Sequence, residues 1–408
     1  MSVVTAASAG PARVPAGPAR GHARTFGILS TYPPTPCGLA TFSAALANGL
    51  VTHGAAVHVV RIADGPVAPS PRVVGELVNG SATSVATSSD LLNQCDVAVV
   101  QHEYGIYGGI DGDEVLGILG HLQVPSIVIA HTIPLAPTPH QRAVLVEVAN
   151  QADQVVVMSE AARRRLCTSF DVDPTKVTTI PHGATIPPPA RPRPAARPTM
   201  LTWGLLGPGK GIERVVDAMR SLHDLPTRPR YLVAGQTHPK VLAADGEAYR
   251  NARIDQARHN GVAASVTFDA NYRDVASLTA LVQSCAVVVL PYDSTDQITS
   301  GVLVDAIAAG RPIVATAFPH AIELLAGGAG TIVDHDDPGA MTRALHQILT
   351  NPALAATMAR RAARLAPTLG WPVVAHAYTT LAEHLLAEHP LAEHPVAEHP
   401  TRQRPALV

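Results

Sequence analysis

The chain has 408 residues, more than one hydrophobic core usually organises, and this length predicts two domains of roughly 150 to 200 residues. Hydrophobic residues make up 47% of the chain and charged residues 15%, proportions typical of soluble globular proteins. The formal net charge of -2 offers no electrostatic attraction for DNA or RNA, so nucleic acid is not expected as a partner.

The sequence indicates a cytoplasmic protein rather than a secreted or membrane-spanning one. Residues 1–24 contain arginine but no acid and lack the apolar core of a secretory signal, so we expect a disordered leader, with a transit peptide as the alternative. The four cysteines form no C-x-x-C pair, which disfavours a zinc knuckle and a disulfide framework and indicates a reducing compartment. Every apolar run is far shorter than the ~20 residues of a membrane-spanning helix.

Strand-like apolar segments alternate with helical patterns along the chain, which indicates βαβ units and parallel sheets. Across 25–190 the candidate strands are TFGILST, AAVHVVRI, CDVAVVQHE, PSIVIAHT, QVVVMS and VTTIPHG. A proline-rich linker at 191–199 interrupts the pattern, because proline disrupts helix interiors and central strands. Across 200–365 the candidate strands are MLTWGLL, RYLVAGQ, VTFDA, CAVVVLPY, PIVATAF and GTIVD. The sequence therefore predicts an α/β protein with two parallel-sheet domains and a site in the cleft between facing strand ends.

Glycine and polar residues follow several strands of the first domain. Gly38 precedes an amphipathic helix, where it either allows close packing or lets the turn lie over a phosphate. His102 and His131 end neighbouring strands beside Glu103; they are either structural histidines or a polar cluster at the substrate, and we expect the second. His182 ends a further strand in IPHGA.

A glycine-rich turn, GLLGPGKGIE, follows the first strand of the second domain. Lys210 and Gly211 stand at the start of the next helix, where a lysine makes a cationic contact to a diphosphate. The spacing is not that of a Walker A loop, and an ordinary surface lysine on a tight turn is the alternative.

The segment LPYDSTDQITSGVLVDAIAAGRPIVAT, residues 290–316, places a polar loop between a buried strand and a helix. Thr299 or Ser300 is positioned to cap that helix, and Gly301 lets an anion approach its positive N-terminal end. Asp305 lies one turn further on the same face, within reach of a hydroxyl attached to that anion. The loop therefore predicts a nucleoside diphosphate site, with an ordinary capped helix as the alternative.

The end of the chain and one basic run carry weaker indications. Residues 386–408 contain a five-residue LAEHP repeat interrupted by proline, and we expect a low-complexity tail whose histidines hold no metal. The run EAARRRL at 160–166 is either a solvated helix face or a peripheral contact with the inner membrane surface.

These segments together resemble the family 4 retaining glycosyltransferases of the GT-B fold, also called glycosyl transferases group 1. The resemblance covers roughly 25–385. It is carried by PPTPCGLATF, QHEYGIYGG, AHT, IPHGA, GLLGPGKGIE, TSGVLVDAIAAGRPIVAT and GGAGTIVDHDDPGAM. It implies two Rossmann-like domains whose parallel sheets face an interdomain cleft, with a helix at 366–385, beginning near Trp371, that crosses back onto the first domain.

The resemblance also implies roles for particular residues. Lys210 contacts the donor diphosphate, Asp305 holds the ribose as the second acid of the E-x7-E motif, and the amides of Ser300 and Gly301 hold phosphate and sugar hydroxyls. His131 lies beside the transferred sugar in such enzymes, and no metal or cofactor is expected.

Two features depart from the family pattern. The first E-x7-E position is Gln297, with an acid displaced to Asp296, and we place both in the donor site. Leu205 stands where many relatives have an arginine, which removes one cation from the diphosphate and weakens leaving-group stabilisation, an effect of about 3 to 4 kcal/mol in some enzymes.

The expected function is retaining transfer of a hexose, with mannose favoured, from a nucleoside diphosphate sugar to an acceptor hydroxyl. In this account His131, His102 and Glu103 shape the reacting centre, and Gly38, His182, Lys210 and Gly211 join the donor site. The alternatives are a catalytically weak sugar-nucleotide-binding protein and a GT-B-like sugar-nucleotide epimerase. The sequence leaves open the base, the sugar, the acceptor and the oligomeric state.

Overall fold

The computed structural model describes residues 24–65, 70–188, 197–271 and 273–388. Most of the expected leader (1–24), part of the linker (191–199) and most of the tail (386–408) lie outside these ranges. Within them, no helix combines the length and apolar character that crossing a bilayer requires.

The first domain is built on a seven-stranded parallel sheet in the order β3-β2-β1-β4-β5-β6-β7. Its strands are β1 (Thr25–Ser30), β2 (Ala56–Ile62), β3 (Val73–Leu77), β4 (Val97–His102), β5 (Ser126–Ala130), β6 (Gln154–Val157) and β7 (Val177–Thr179). Its helices are α1 (Gly38–Thr52), α2 (Ala82–Leu92), α3 (Glu114–Leu119), α4 (Pro139–Gln151) and α5 (Glu160–Ser169). The central strands are buried on both faces, as their continuous apolar runs require.

The second domain is built on a six-stranded parallel sheet in the order β10-β9-β8-β11-β12-β13. Its strands are β8 (Thr199–Trp203), β9 (Arg230–Ala234), β10 (Val266–Asp269), β11 (Val287–Leu290), β12 (Ile313–Thr316) and β13 (Gly330–Val333). Its helices are α6 (Ile212–Leu222), α7 (Pro239–Asp245), α8 (Ala248–His259), α9 (Val275–Ser284), α10 (Gly301–Ala308), α11 (Pro319–Leu325), α12 (Ala340–Thr350) and α13 (Pro352–Leu365).

The chain then returns to the first domain. Helix α14 (Trp371–Glu388) packs along α1, where Gly49 gives the space: a Cβ there would lie 2.6 Å from the Cβ of Ala375. Apolar residues of α14 contribute to a core that lies against β1 and β4. The described part of the helix includes residues 386–388, the first three of the expected tail, and Leu386 packs against the core of the first domain.

Both sheets reverse their strand order at one point, between β1 and β4 in the first and between β8 and β11 in the second. In open parallel sheets the crevice beyond the carboxyl ends of the strands at such a point is the usual ligand site. His102 ends β4, Lys210 lies in the loop after β8, and Gly38 and Gly301 begin the helices that follow β1 and β11. The topology therefore directs the same residues that the sequence singles out toward ligand-binding edges.

Helix α5 connects the two domains through hydrogen bonds at its N-terminus. The hydroxyl of Ser159 donates to the carbonyl of Ile298 over 2.7 Å, and the amides of Glu160 and Ala161 each donate to the carboxylate of Glu323 over 3.0 Å. A carboxylate at this position is stabilised by the helix dipole and satisfies amides that have no partner inside the helix. These contacts fix the second domain against α5.

Candidate functional site

The first-domain side of the site lies at the adjacent ends of β4 and β5. The amide of His131 donates to the carbonyl of His102 over 3.1 Å, so the parallel pairing of the strands brings the two histidines together. The hydroxyl of Thr132 donates to the Glu103 carboxylate over 2.6 Å. The structure thus places His102, Glu103 and His131 in one cluster.

Burial keeps both histidines of this cluster neutral. It lowers the pKa of His102 to about 4, and neither ring nitrogen of His102 has a hydrogen-bond partner in the described part of the chain. It lowers the pKa of His131 to about 3, with further contributions from His182 and His102. The His131 ring lies edge-on to Phe42, with 5.2 Å between centroids, and its Nε2 lies 2.5 Å from Oε1 of Gln101.

Glu103 carries a carboxyl whose pKa is raised by burial. The Thr132 hydrogen bond, the Tyr104 amide and the charge of Lys240 act in the opposite direction. Lys240 belongs to α7 of the second domain, and its Nζ lies 3.1 Å from the position of a Cβ at Gly105. A cation of the second domain therefore reaches the QHEYG loop of the first.

His182 joins the first domain to the start of α10. Its Nδ1 lies 2.7 Å from the Gly183 carbonyl, so Nδ1 donates and Nε2 is left as an acceptor. Nε2 lies 2.9 Å from the position of a Cβ at Gly301, so only glycine fits there without displacing the imidazole. Burial lowers the pKa of His182 to about 4, and its ring contacts Phe42 and Trp371.

The N-terminus of α10 is capped by Ser300, one of the two residues expected there. Ser300, rather than Thr299, caps the helix: its hydroxyl accepts the amide of Leu303 over 3.2 Å. Its own amide donates to Nδ1 of the buried His320 over 2.8 Å. In this structure that amide is therefore occupied by His320, and the expected contact of Ser300 with a donor stays a prediction. The Gly301 amide is the other candidate at this end.

Asp305 lies one turn into α10, with its side chain half-buried. Burial raises the pKa of its carboxyl to about 7, and no cation pairs with it in the described ranges. A carboxylate in this position gains from hydroxyl donors that replace lost water. The arrangement suits the expected contact with a ribose.

Asp296 and Gln297 both make hydrogen bonds or ion pairs within the protein. The carboxylate of Asp296 pairs with Arg165 of α5 and accepts the amide of Leu135 over 3.0 Å, both in the first domain. The side-chain amide of Gln297 donates to the Thr299 carbonyl over 3.0 Å. The Asp296 carboxylate therefore links the two domains in this structure, and its assignment to the donor site stays a prediction.

The glycine-rich turn after β8 holds Lys210 beside the end of β11. The Lys210 ammonium lies 4.6 Å from the centroid of the Tyr292 ring, a cation–π contact that orients it. Gly211 has φ of +62°, and a Cβ there would lie 1.7 Å from the Pro291 carbonyl oxygen. Gly211 is therefore required by the packing of this turn on β11, and Lys210 supplies the charge.

Gly38 begins α1, and nothing in the described residues lies within 4 Å of a Cβ placed on it. Cys37 caps the helix, its Sγ accepting the Ala40 amide over 3.4 Å. Close packing therefore does not explain Gly38. Gly38 lies at the open N-terminus of a 15-residue helix at the edge of the sheet. That this turn lies over a phosphate group of the donor stays a prediction.

The basic run in α5 is mostly engaged inside the protein. Arg165 is 12% exposed and pairs with Asp296, and Nε of Arg163 donates to the Val177 carbonyl over 3.2 Å. Arg164 is exposed. The run therefore does not form the continuous basic face that a membrane contact needs.

Three residues of the site escape the sequence analysis. Gln101 and His320 contact functional groups through their side chains, and Phe42 packs between His131 and His182. Gln101 and His320 belong to the segments QHEYG and FPHA, but the sequence of these segments does not predict which residues they contact. Within the described ranges, no group of three or more His, Cys, Asp or Glu side chains is arranged to hold a metal ion.

Comparison with known proteins agrees with the architecture. The sequence model of the family described as Glycosyltransferase Family 4 matches residues 36–186, and that of the family described as Glycosyl transferases group 1 matches residues 197–351. Two Rossmann-like domains with facing sheet edges, matched in this order, define a glycosyltransferase of the GT-B fold. The chain belongs to glycosyltransferase family 4.

Solved structures share the fold at low sequence identity. Anabaena HepE, crystallised with UDP and glucose, is 16% identical with a TM-score of 0.70, covering 88% of this chain and 100% of that one. Sucrose-phosphate synthase from Thermosynechococcus elongatus is 19% identical with a TM-score of 0.69, covering 90% and 100%.

A curated relative covers part of the chain. The D-inositol 3-phosphate glycosyltransferase of Kineococcus radiotolerans is 28% identical over 274 residues, 59% of this chain and 60% of the relative. The match therefore spans about three fifths of that protein's own length.

Proposed function

We propose that the protein transfers a hexosyl group from a nucleoside diphosphate sugar to an acceptor hydroxyl, with retention of anomeric configuration and without a metal ion. The observation that carries the proposal is the contact between His182 and Gly301. This contact brings the cluster around His131, in the first domain, close to the start of α10 and Asp305, in the second domain.

The second domain supplies the groups that suit a nucleoside diphosphate. Lys210 and the N-terminus of α10 provide positive charge for the diphosphate, and the Gly301 amide is the hydrogen-bond donor at that end. Asp305 accepts hydrogen bonds from the ribose hydroxyls. Because these groups neutralise a leaving diphosphate without a cation cofactor, the proposed reaction needs no metal ion.

The first domain supplies the groups around the transferred sugar. His131 is neutral because burial lowers its pKa, and it lies at the strand ends next to His102 and Glu103. In the proposed step the bond between the anomeric carbon and the diphosphate oxygen breaks. The acceptor oxygen attacks from the same face, and its proton passes to the leaving diphosphate, which departs as the nucleoside diphosphate.

The donor and acceptor follow only by analogy. HepE was crystallised with UDP, glucose and UDP-glucose, which supports a nucleotide sugar as donor. The curated relative is named for transfer to D-inositol 3-phosphate, which makes a phosphorylated polyol one acceptor to try. A mannosyl donor rests on the sequence resemblance alone.

A second candidate is a sugar-nucleotide-binding protein with little turnover. Leu205 carries no charge where relatives have a cation, and Gln297 bonds to its own loop. Binding of a donor without transfer or hydrolysis would favour this candidate.

The test is a transfer assay with GDP-mannose, UDP-glucose and ADP-glucose against sugar, polyol phosphate and lipid-linked acceptors, with and without EDTA. We expect release of one nucleoside diphosphate, an α-linked product by NMR from an α-linked donor, and no effect of EDTA. An inverted product, or activity lost with EDTA, contradicts the corresponding part of the proposal, and binding without any product favours the second candidate.

A further inference from the structure

Gln101 is a fully buried polar residue next to the end of β4. Its carbonyl accepts the hydroxyl of Tyr107 over 2.6 Å, which holds the backbone at this position. Its side-chain Oε1 lies 2.5 Å from Nε2 of His131. Its side-chain Nε2 is buried and has no partner among the described residues, so His131 is the hydrogen-bond partner of this side chain.

The protonated nitrogen of His131 follows from which atom of the Gln101 amide faces the ring, and in this structure that atom is Oε1. A glutamine oxygen has no proton to give, so Nε2 of His131 must donate. A neutral imidazole has one N–H, and Nδ1 is then an acceptor. In the described part of the chain Nδ1 of His131 makes no hydrogen bond, and the residue is half-buried, so this lone pair is left for a ligand.

We propose that Gln101 is a positioning residue that holds His131 as the Nε2–H tautomer, so that Nδ1 accepts a hydrogen bond from a hydroxyl of the transferred sugar. The inference rests on the proposed function for the identity of that hydroxyl. The tautomer itself does not depend on it.

The opposite orientation of the Gln101 amide makes the opposite prediction. With Nε2 of the glutamine toward the ring, Nε2 of His131 accepts and Nδ1 carries the proton into the cleft. His131 then donates to a sugar oxygen instead of accepting from a hydroxyl. The two tautomers differ in the nitrogen chemical shifts of the ring.

The direct test is NMR of protein labelled with 15N in its histidine rings, using long-range proton–nitrogen correlations at pH 7.5. His131→Gln assigns the signals of interest. We expect the wild-type ring to be the Nε2–H tautomer. Observation of the Nδ1–H tautomer overturns the proposal whether or not the protein has any transferase activity.

Two variants separate positioning from folding. Gln101→Leu removes the acceptor, and we expect a mixture of tautomers and a decrease in kcat of about tenfold, the equivalent of one hydrogen bond, with a smaller change in KM. Gln101→Glu keeps the acceptor and adds a charge, so the ring remains protonated at Nε2, its pKa rises, and the acid limb of the pH–rate profile moves to higher pH.

The control is Gln94→Glu, an exposed position just before the same strand. It adds the same charge and leaves the tautomer and the pH profile as in wild type. If Gln101→Leu does not fold, Gln101→Glu still decides: an unmoved His131 signal and pH profile contradict the proposal. If the tautomer is as expected but no donor is turned over, the proposed function fails while this inference stands.

Discussion

The imidazole of His182, in the first domain, lies directly against Gly301, the first residue of α10 in the second domain. Its Nε2 is 2.9 Å from the position that a Cβ would take. No larger residue at 301 keeps this contact, so the glycine is explained by the meeting of the two domains. The N-terminal end of α10 and the histidine cluster therefore depend on one interface.

Gly301→Ala is expected to destabilise the closed arrangement by about 1 to 3 kcal/mol, because the added methyl displaces His182. Donor binding should weaken with it. Thermal unfolding and calorimetric titration measure the two effects. Gly327→Ala is the control, since a Cβ there meets no described atom within 4 Å. Equal stability of the two variants contradicts the contact.

The ion pair between Arg165 and Asp296 is expected to restrain the two domains. Arg165→Met should cost about 1 kcal/mol, since Asp296 remains partly hydrated. Small-angle X-ray scattering should show a larger radius of gyration if the pair holds the cleft closed. Arg164→Met, on the exposed side of the same helix, is the matched control. A double-mutant cycle with Asp296→Asn measures the coupling energy of the pair. A coupling energy of zero would contradict the expectation that the pair restrains the two domains.

Stability should fall on acidification below about pH 6.5. Burial lowers the pKa of His102 and His182 to about 4, and of His131 and His320 to about 3, from an ordinary 6.5. Between these values the unfolded chain binds protons that the folded chain does not, so stability rises with pH and levels off above 6.5. Each histidine contributes a slope of up to about 1.4 kcal/mol per pH unit.

The acids with raised pKa, Asp305 and Glu103, oppose this trend because they hold protons in the folded state. Denaturant unfolding from pH 7.5 to 5 gives the slope, and His102→Gln should reduce it. His346→Gln, at an exposed site, controls for the substitution itself. A slope that His102→Gln leaves unchanged contradicts the buried neutral state of His102.

Donor affinity should rise with pH through about 7. The pKa of Asp305 is raised to about 7, and only its ionised form accepts both ribose hydroxyls. Between pH 6 and 8 we expect a gain of up to about tenfold, since one protonation equilibrium changes affinity by at most tenfold per pH unit. Asp305→Asn should lower affinity and abolish the dependence. The same pH dependence in that variant would place its origin elsewhere.

The repeating pattern of strands and helices was sufficient to predict the fold class. Buried parallel strands have near-continuous apolar sequences, and 11 of the 12 segments proposed from the sequence contain at least four residues of a strand, with VTTIPHG contributing the short β7. The missed strand is β3 (Val73–Leu77), an edge strand with a central glycine and a half-exposed pattern. Its short alternating sequence resembles a loop as much as a strand.

The site was only partly predictable, because side-chain partners depend on tertiary contacts. Residues at strand ends, such as His102 and Lys210, could be placed from the sheet topology. The occupied amide of Ser300 depends on His320, which is 20 residues away, and the partner of Asp296 is 131 residues away. No local sequence pattern encodes such pairs.

The central claim, a nucleoside diphosphate site at Lys210 and α10, is tested most directly by isothermal titration calorimetry. GDP-mannose, UDP-glucose and ADP-glucose are titrated into wild type, Lys210→Ala and Arg220→Ala, the last removing an exposed charge beyond the site. We expect one nucleotide class to bind wild type and Arg220→Ala equally, and Lys210→Ala at least about tenfold more weakly, since a charge-assisted contact contributes about 1.5 to 3 kcal/mol. Binding to none of them, or equal binding to Lys210→Ala, would contradict the account.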